Sequence, residues 1–406
     1  MVKIDTFEID HWILTHSVGV KHNLAHSYCS AISIDELTAL SENGASEDVN
    51  PLASLLSTPL KYGPMKGLET LRRQISNLYA DDESSPVSID NILPTPGGSL
   101  ANFVALFALV GPGDHVIVQY PTYQQLYSLP AGVGAEVSLW KSKEHDGWKL
   151  DLVELKGLIQ SNTKMIVINN PTNPTGAAIP RSALQEIVNI AREHSIIILS
   201  DEIYSPLFHS IDRADPELPP SILSFGYEHA VATSALSKAY SLAGLRIGWI
   251  ASLSPEIIDV CLNARSYALI TASQVDEHLA AYALSPPRVQ GLLDRNFALS
   301  RRNLEIVQGF IDEHSSICQW ARPVGGPIGF VQFTQSGQPV DDVELCSQLL
   351  RRQSLLLVPG SKCFGDGENF AGYVRLGFGN QTEELVAALD ALRSFIREDY
   401  DRVPVL

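Results

Sequence analysis

The chain has 406 residues, 45% of them hydrophobic and 18% charged, which is enough for about two or three domains with large packed cores. Its formal net charge of −17 argues against nucleic acid and anionic membrane surfaces as partners. The five cysteines are scattered and form no Cys-x-x-Cys pair, so neither a disulfide framework nor a zinc site is predicted.

The first 50 residues are predicted to be irregular apart from one short helix. That helix is expected near 33–41, because Ser33 and Glu36 have the spacing of a capping box. The N-terminus lacks the apolar core of a signal peptide, which together with the cysteine pattern predicts a cytoplasmic protein. The next predicted element is an amphipathic helix over 67–80.

From residue 92 the sequence alternates between short apolar runs and helical patterns. Such alternation indicates an α/β fold with a mainly parallel sheet covered on both faces. Polar clusters follow the ends of the apolar runs, at the edge of the sheet where ligands bind in such folds. The predicted strands lie at 92–93, 115–119, 136–140, 165–169, 196–199, 230–233 and 247–251.

From about residue 296 the pattern changes to a long helix followed by further strands and helices. We therefore predict a smaller α+β domain over 291–406 and a large domain over 51–290. Residues 1–50 are predicted to join the smaller domain.

The stretch from 234 to 248 carries the strongest chemical signal. Lys238 lies among small residues, and Arg246 follows eight residues later next to glycines. A lysine held in such a site can lose its proton and act as an amine nucleophile. An arginine fork is suited to binding phosphate. Together they indicate an imine-forming lysine and an anchor for the phosphate of an aldehyde cofactor.

Several further motifs occur in a fixed order around this stretch. With them the chain resembles the fold-type-I pyridoxal-phosphate enzymes of the class I/II aminotransferase family over nearly its whole length. The resemblance implies a pyridoxal 5'-phosphate cofactor, a seven-stranded, mainly parallel sheet and a homodimer with shared active sites. The motifs are Tyr-Pro-Thr-Tyr at 120–123, Asn-Pro-Thr-Gly at 173–176, Asp-x-x-Tyr at 201–204, Ser-Lys-(x)7-Arg-x-Gly at 237–248 and Tyr-Val-Arg-Leu at 373–376.

The resemblance implies three catalytic residues. Lys238 resembles the lysine that forms the imine and later moves protons at the substrate α-carbon. Asp201 resembles the carboxylate that pairs with the pyridine nitrogen, which keeps the ring an electron sink. Tyr204 resembles a hydrogen-bond donor to the phenolic oxygen of the ring, and Asn173 resembles the second such donor.

The remaining cofactor contacts follow from the same resemblance. Tyr123 resembles the aromatic residue that stacks on the ring. Gly98 and Ser99 begin a helix whose N-terminus would face the phosphate. Arg246 resembles the phosphate-binding arginine, with Ser237 nearby. Tyr62 resembles the tyrosine that reaches the phosphate of the neighbouring subunit.

Substrate contacts are expected from Arg375, which resembles the arginine that binds the α-carboxylate bidentately, and from Asn173. Two positions depart from the family pattern. Ala235 stands where the family has a serine or threonine that contacts phosphate. Ser27 replaces a glycine near the substrate, where Tyr28 and the neighbouring His26 are also candidates for substrate contact.

The resemblance implies transfer of an amino group between an amino acid and a 2-oxo acid, without a metal. The alternatives on the same scaffold are cyclisation, β- or γ-elimination or replacement, and amino-acid oxidation. The run from Ser237 to Trp249 also looks like capreomycidine-synthase-type relatives, whose chemistry is cyclisation. A sensor domain of a DNA-binding regulator is disfavoured, because the chain is acidic and mostly irregular residues precede Tyr62.

Overall fold

The computed structural model describes residues 4–40, 55, 57–80 and 87–406. Within these ranges, no helix combines the length and apolarity that crossing a bilayer would require. The predicted domain boundary at residues 50 and 51 lies outside the described residues. The strands are β1 His22–Asn23, β2 Ile92–Thr95, β3 His115–Tyr120, β4 Glu136–Lys141, β5 Thr163–Asn169, β6 Ile197–Asp201, β7 Ala230–Ala235, β8 Gly248–Ser252, β9 Cys318–Trp320, β10 Ile328–Gln335, β11 Gln338–Pro339, β12 Leu355–Leu356, β13 Val358–Pro359 and β14 Tyr373–Gly377.

Helices pack around these strands and connect most of them. They are α1 Glu8–His16, α2 Ile34–Ala39, α3 Glu69–Leu78, α4 Gly98–Leu109, α5 Gln125–Gly132, α6 Leu152–Leu158, α7 Arg181–His194, α8 Pro255–Ala268, α9 Gln274–Ala283, α10 Pro286–Glu313, α11 Asp342–Gln353, α12 Gly360–Phe364 and α13 Thr382–Glu398.

The large sheet has seven strands in the order β2-β8-β7-β6-β5-β3-β4. The pairs from β7 to β4 are parallel, whereas β8 is antiparallel to both of its neighbours. Every residue of β3, β6, β7 and β8 is buried, as expected for strands covered on both faces. The mainly parallel seven-stranded sheet expected from the sequence is confirmed.

The parallel register brings polar residues together at the carboxyl ends of the central strands. Asp201 at the end of β6 lies beside Asn169 on β5 and Thr233 on β7. Lys238 follows the end of β7 by three residues. One edge of the sheet therefore carries Asp201, Asn169 and Lys238, although they are far apart in the sequence.

A second, antiparallel sheet has the order β11-β10-β14-β13, with β9 pairing to β10. The long helix α10 connects the two cores: Leu292 and Phe297 pack with the core of the large sheet, and Val307 and Phe310 pack with the second core. The N-terminal strand β1 pairs in parallel with β12.

The N-terminal segment differs from its predicted irregular form. The expected helix is present as α2, and Ser33 and Glu36 form the capping box. Helix α1 was missed, because it begins after Phe7, whose side chain makes no cap hydrogen bond. Without a capping residue, the start of this helix is marked less clearly, by the acidic Glu8 and Asp10 of its first turn.

Candidate active site

A cavity of about 280 Å³ lies at the carboxyl edge of the large sheet. Tyr62 is absent from its lining; that side chain is exposed on the surface of the chain. The predicted site residues that line the cavity are Ser27, Tyr28, Gly98, Ser99, Tyr123, Asn173, Asp201, Tyr204, Ser237, Lys238, Arg246 and Arg375.

The cavity has two walls that are formed by different parts of the chain. The sheet wall consists of residues at the carboxyl edge of the large sheet and the segments that follow its strands. The N-terminal wall consists of residues 9, 10 and 13 of α1 and residues 25–28 of the following loop. Arg375 reaches the cavity from β14 of the second sheet.

Lys238 is held where its amine can be neutral near pH 7. Its Nζ donates a hydrogen bond to Oγ of Ser27 at 2.7 Å and lies 5.6 Å from the centre of the Tyr28 ring. Burial and then the positive charge of Arg375 lower the pKa of Lys238 to about 7. Because the neutral amine is the nucleophilic form, Lys238 is suited to attack a carbonyl carbon.

Asp201 is a buried carboxylate fixed by hydrogen bonds. Its Oδ2 accepts from Nδ2 of Asn102 at 2.9 Å, and its Oδ1 accepts from the backbone N–H of Ile203 at 3.1 Å. Asn102 is fixed in turn by the hydroxyl of Thr233, which donates to its Oδ1. Burial raises the pKa of Asp201 to about 6, so it is largely ionised above that pH and suited to pair with a protonated nitrogen.

Asn102 was not among the predicted site residues. It is a polar residue in the otherwise apolar middle of α4, one turn after Gly98 and Ser99. Buried amides need hydrogen-bond partners, so this isolated polar residue was a usable signal. Its two partners show that it acts by positioning Asp201.

The other end of the sheet wall is shaped for an anion. Helix α4 begins at Gly98, and its first turn faces the cavity together with Arg246. Gly97 has a φ of +80°, which favours glycine, and a Cβ atom there would meet the Arg246 guanidinium. Nη1 of Arg246 donates to Oγ of Ser237 at 3.3 Å. Backbone N–H groups at a helix N-terminus next to a guanidinium favour phosphate.

The two serines near Ala235 point to different places. Oγ of Ser234 donates to the backbone oxygen of Glu202 at 3.2 Å and does not line the cavity. Ser237 does line it, beside Arg246. Of these two hydroxyls, Ser237 is therefore the one available to an anion in the cavity.

The guanidinium of Arg375 makes two hydrogen bonds to the protein and has one N–H group without a partner among the described residues. Its Nη1 donates to Oδ1 of Asn173 at 3.0 Å, and its Nη2 donates to the backbone oxygen of Ala25 at 2.6 Å. Its buried Nε has no hydrogen-bond partner among the described residues. A buried donor without a partner is costly, which favours a carboxylate ligand at this position.

Two tyrosines face the cavity as neutral hydrogen-bonding groups. Burial raises the pKa of Tyr204 to about 12, so its hydroxyl keeps its proton and can donate. Burial also raises the pKa of Tyr123. The ring of Phe7 contacts Tyr123 edge-on at a centroid distance of 5.1 Å, which restricts the orientation of the Tyr123 ring.

The N-terminal wall contains residues that the sequence interpretation missed. Ile9, Asp10 and Ile13 line the cavity from α1, and they were missed because α1 itself was missed. In the loop, the rings of His26 and Tyr28 lie 4.8 Å apart. Burial, followed by the charges of Lys238 and Arg375, lowers the pKa of His26, which keeps its ring neutral at pH 7.

Comparison with known proteins identifies the family of the chain. Residues 37–392 match the family model described as aminotransferase class I and II. An aspartate aminotransferase from Thermotoga maritima is 28% identical, with 83% of this chain and 84% of the relative covered. Capreomycidine synthase from Streptomyces vinaceus is also 28% identical, with 95% and 92% covered. The crystal structure of a PLP-dependent aminotransferase from Streptococcus suis superposes with a TM-score of 0.87 at 37% identity, covering 97% of this chain and 98% of that one.

Proposed function

The chain belongs to the aminotransferase class I and II family and depends on pyridoxal phosphate, and on that premise we propose that the cavity around Lys238 is its active site. The observation that carries this proposal is the shared position of Lys238 and the buried carboxylate of Asp201 in one cavity. Lys238 provides an amine with a lowered pKa for the aldehyde, and Asp201 provides a negative charge for the ring nitrogen.

The residues present also fit the rest of the cofactor. The close approach of Gly97 to Arg246, beside the start of α4, forms a cradle for the phosphate. Tyr204 and Asn173 are suited to the phenolic oxygen, and Tyr123 is suited to the ring face.

Bound pyridoxal phosphate supplies an electron-withdrawing ring that stabilises negative charge at the substrate α-carbon. The residues of this chain supply binding and proton transfer. Arg375 binds the α-carboxylate through its free side, which holds the α-carbon near Lys238. Lys238 moves the proton at that carbon, and Ser27 orients its amine through their hydrogen bond.

The proposed reaction transfers the amino group of an amino acid to a 2-oxo acid. The test is to mix the purified holoenzyme with a panel of amino acids and follow the cofactor absorbance, with the products identified by mass spectrometry. A 2-oxo acid from the donor and a new amino acid from the acceptor are expected. If the donor is consumed without any amino acid forming from the oxo acid, transamination is refuted.

A second candidate is cyclisation of an amino acid on the same cofactor. Its specific support is that capreomycidine synthase matches 95% of this chain, against 83% for the aspartate aminotransferase. The same assay separates the two, because a cyclase yields a cyclic product without needing a 2-oxo acid.

We propose further that the active unit is a homodimer in which Tyr62 reaches the neighbouring site. Tyr62 is 76% exposed in the single chain, which suits a residue that contacts a second subunit. Mixing Tyr62→Phe protein with Lys238→Ala protein tests this, because one site of each heterodimer then carries neither substitution. Activity should exceed the sum of the parents after subunit exchange, and failure despite proven exchange contradicts shared sites.

We also propose that the chain divides into an N-terminal segment over 1–50, a large domain over 51–290 and a small domain over 291–406. The two sheets and their separate cores support the division at 290, and the pairing of β1 with β12 supports the assignment of the N-terminal segment. Leu37 of that segment packs instead in the core of the large sheet. Limited proteolysis should cut near residue 50 before it cuts within either sheet, whereas the boundary at 290–291 lies inside helix α10 and should be protected.

A further inference from the structure

The active-site cavity contains a carboxylate to which the proposed function gives no role. Of the described residues that line the cavity, Asp10 and Asp201 carry carboxylates. Asp201 has the ring nitrogen as its proposed partner. Asp10 lies instead on α1, in the N-terminal wall of the cavity.

The Asp10 side chain is open to a ligand. Its carboxylate accepts no hydrogen bond from any described residue and forms no salt bridge with one. The residue is exposed, yet partial burial raises the pKa of its carboxyl group, against the opposing effect of Lys238 and Arg375. Asp10 therefore lies within electrostatic range of both the amine and the carboxylate-binding guanidinium.

Each cationic side chain in the cavity already has a partner in the proposed function. Arg246 faces the proposed phosphate cradle, Arg375 the substrate α-carboxylate, and Lys238 the aldehyde. His26 is neutral at pH 7, because its pKa is lowered. Within a single chain, the described lining residues leave no cation to neutralise a second carboxylate on the substrate, and Asp10 would repel one.

We propose that the substrate is an amino acid with a cationic side chain, whose terminal ammonium or guanidinium pairs with Asp10. The methylene groups of such a side chain would pack on Ile13, which lies one turn after Asp10 on the same face of α1. This inference rests on the proposed function, since it takes the α-carboxylate to be held by Arg375.

The test compares charged substrates with neutral ones of similar shape. The holoenzyme is assayed with L-arginine and L-citrulline, with L-lysine and L-norleucine, and with L-glutamate. We expect kcat/KM to be at least about tenfold higher for each cationic substrate than for its neutral counterpart, because a hydrogen bond to a charged group is lost. Glutamate should be the poorest of the five.

Substitutions test whether Asp10 causes this preference for cationic substrates. Asp10→Asn should lower kcat/KM for arginine and lysine by about tenfold to a hundredfold, mainly through KM, and leave citrulline and norleucine within about twofold. Asp5→Asn is the matched control. Asp5 is an exposed carboxylate just before the same helix and does not line the cavity, so both substrate classes should be unaffected. Asp10→Arg should improve glutamate relative to arginine.

The outcomes separate this inference from the proposed function. If the wild-type enzyme transaminates neutral amino acids as well as cationic ones, and Asp10→Asn affects both alike, the inference is wrong and the proposed function stands. If no amino acid changes the cofactor absorbance, both are overturned.

Discussion

The sheet wall and the N-terminal wall face the same cavity but are built differently. In the sheet wall, Asp201 stands at the end of a buried strand and is fixed by Asn102 and a backbone N–H. In the N-terminal wall, Asp10 stands on a nine-residue helix, and its carboxylate makes no hydrogen bond to a described residue. The sheet wall holds the carboxylate of Asp201 in a fixed position, whereas the carboxylate of Asp10 in the N-terminal wall is available to a ligand.

This difference corresponds to two chemical tasks. Proton transfer on a cofactor requires groups placed within fractions of an ångström, which strands and buried hydrogen bonds provide. Selecting a substrate by its side chain requires one complementary group. That group can be replaced without altering the residues that transfer the proton. We therefore expect substitutions in the sheet wall to lower kcat and substitutions in α1 of the N-terminal wall to change KM. Ser27 is the exception in that wall, because it hydrogen-bonds to Lys238.

The largest effect should come from Lys238, the nucleophile of the sheet wall. Lys238→Ala should lower turnover by about 10⁴-fold or more, because it removes both the amine and the proton carrier. Borohydride reduction of the wild-type holoenzyme and peptide mapping should find the pyridoxyl group on Lys238. Lys156→Ala is the control, since Lys156 pairs with Glu186 on the surface. A label on another lysine refutes the assignment.

Asp201→Asn should have the next largest effect. The asparagine keeps the size of the side chain but removes the charge opposite the ring nitrogen, so kcat should fall by about 10²- to 10³-fold with little change in KM. Asp201→Glu, which keeps the charge, should recover part of the loss. An Asp201→Asn enzyme with near-normal kcat would contradict the role of this carboxylate.

The sheet wall was the more predictable of the two from sequence. Apolar runs ending in polar residues predicted strands whose carboxyl ends meet, and this placed Asp201 and Lys238 together. Asn102 was not predicted, although it is an isolated polar residue in an apolar helix, because that signal does not reveal its partners Asp201 and Thr233, which are far away in the chain.

The N-terminal wall was predicted only in its loop. Ser27 departs from the family pattern, Tyr28 is a candidate for substrate contact, and both line the cavity. Asp10 was missed, because α1 has no side-chain cap and owes its position to tertiary contacts rather than to a local signal. Tyr62 remains a prediction, because its proposed contact is with a second subunit.

The rate at which the cofactor-free protein binds pyridoxal phosphate should depend on pH. A pKa of about 7 for Lys238 means that the reactive neutral amine decreases about tenfold per pH unit below 7 and is nearly constant above 8. The rate of cofactor binding, followed by absorbance, should show the same profile. A midpoint near 10.5, the ordinary pKa of a lysine, would show that the cavity leaves Lys238 unperturbed.

The same shift makes a linked prediction about stability. The unfolded chain carries a lysine that binds its proton up to about pH 10, whereas the folded chain releases it near pH 7. Between these values the unfolded state binds more protons, so the cofactor-free protein should gain stability from Lys238 as the pH rises through this window. Lys238→Met should remove that component of the pH dependence in denaturant titrations.

The smallest effect should come from Trp12, which anchors the N-terminal wall without lining the cavity. Its Nε1 donates to the backbone oxygen of Leu357 at 2.9 Å in a buried contact. Trp12→Phe removes this donor, so the free energy of unfolding should fall by about 1 kcal/mol. Because α1 then docks less firmly, KM should rise by about threefold to tenfold while kcat stays within about twofold.

Trp320→Phe is the matched control for this prediction. Trp320 also donates through Nε1, to Oε1 of Gln308 at 3.1 Å, but it lies in the second sheet and does not line the cavity. Its substitution should lower stability by a similar or smaller amount and leave KM unchanged. If Trp12→Phe lowers kcat and not KM, α1 contributes to the chemical step, and the separation of tasks between the two walls is wrong.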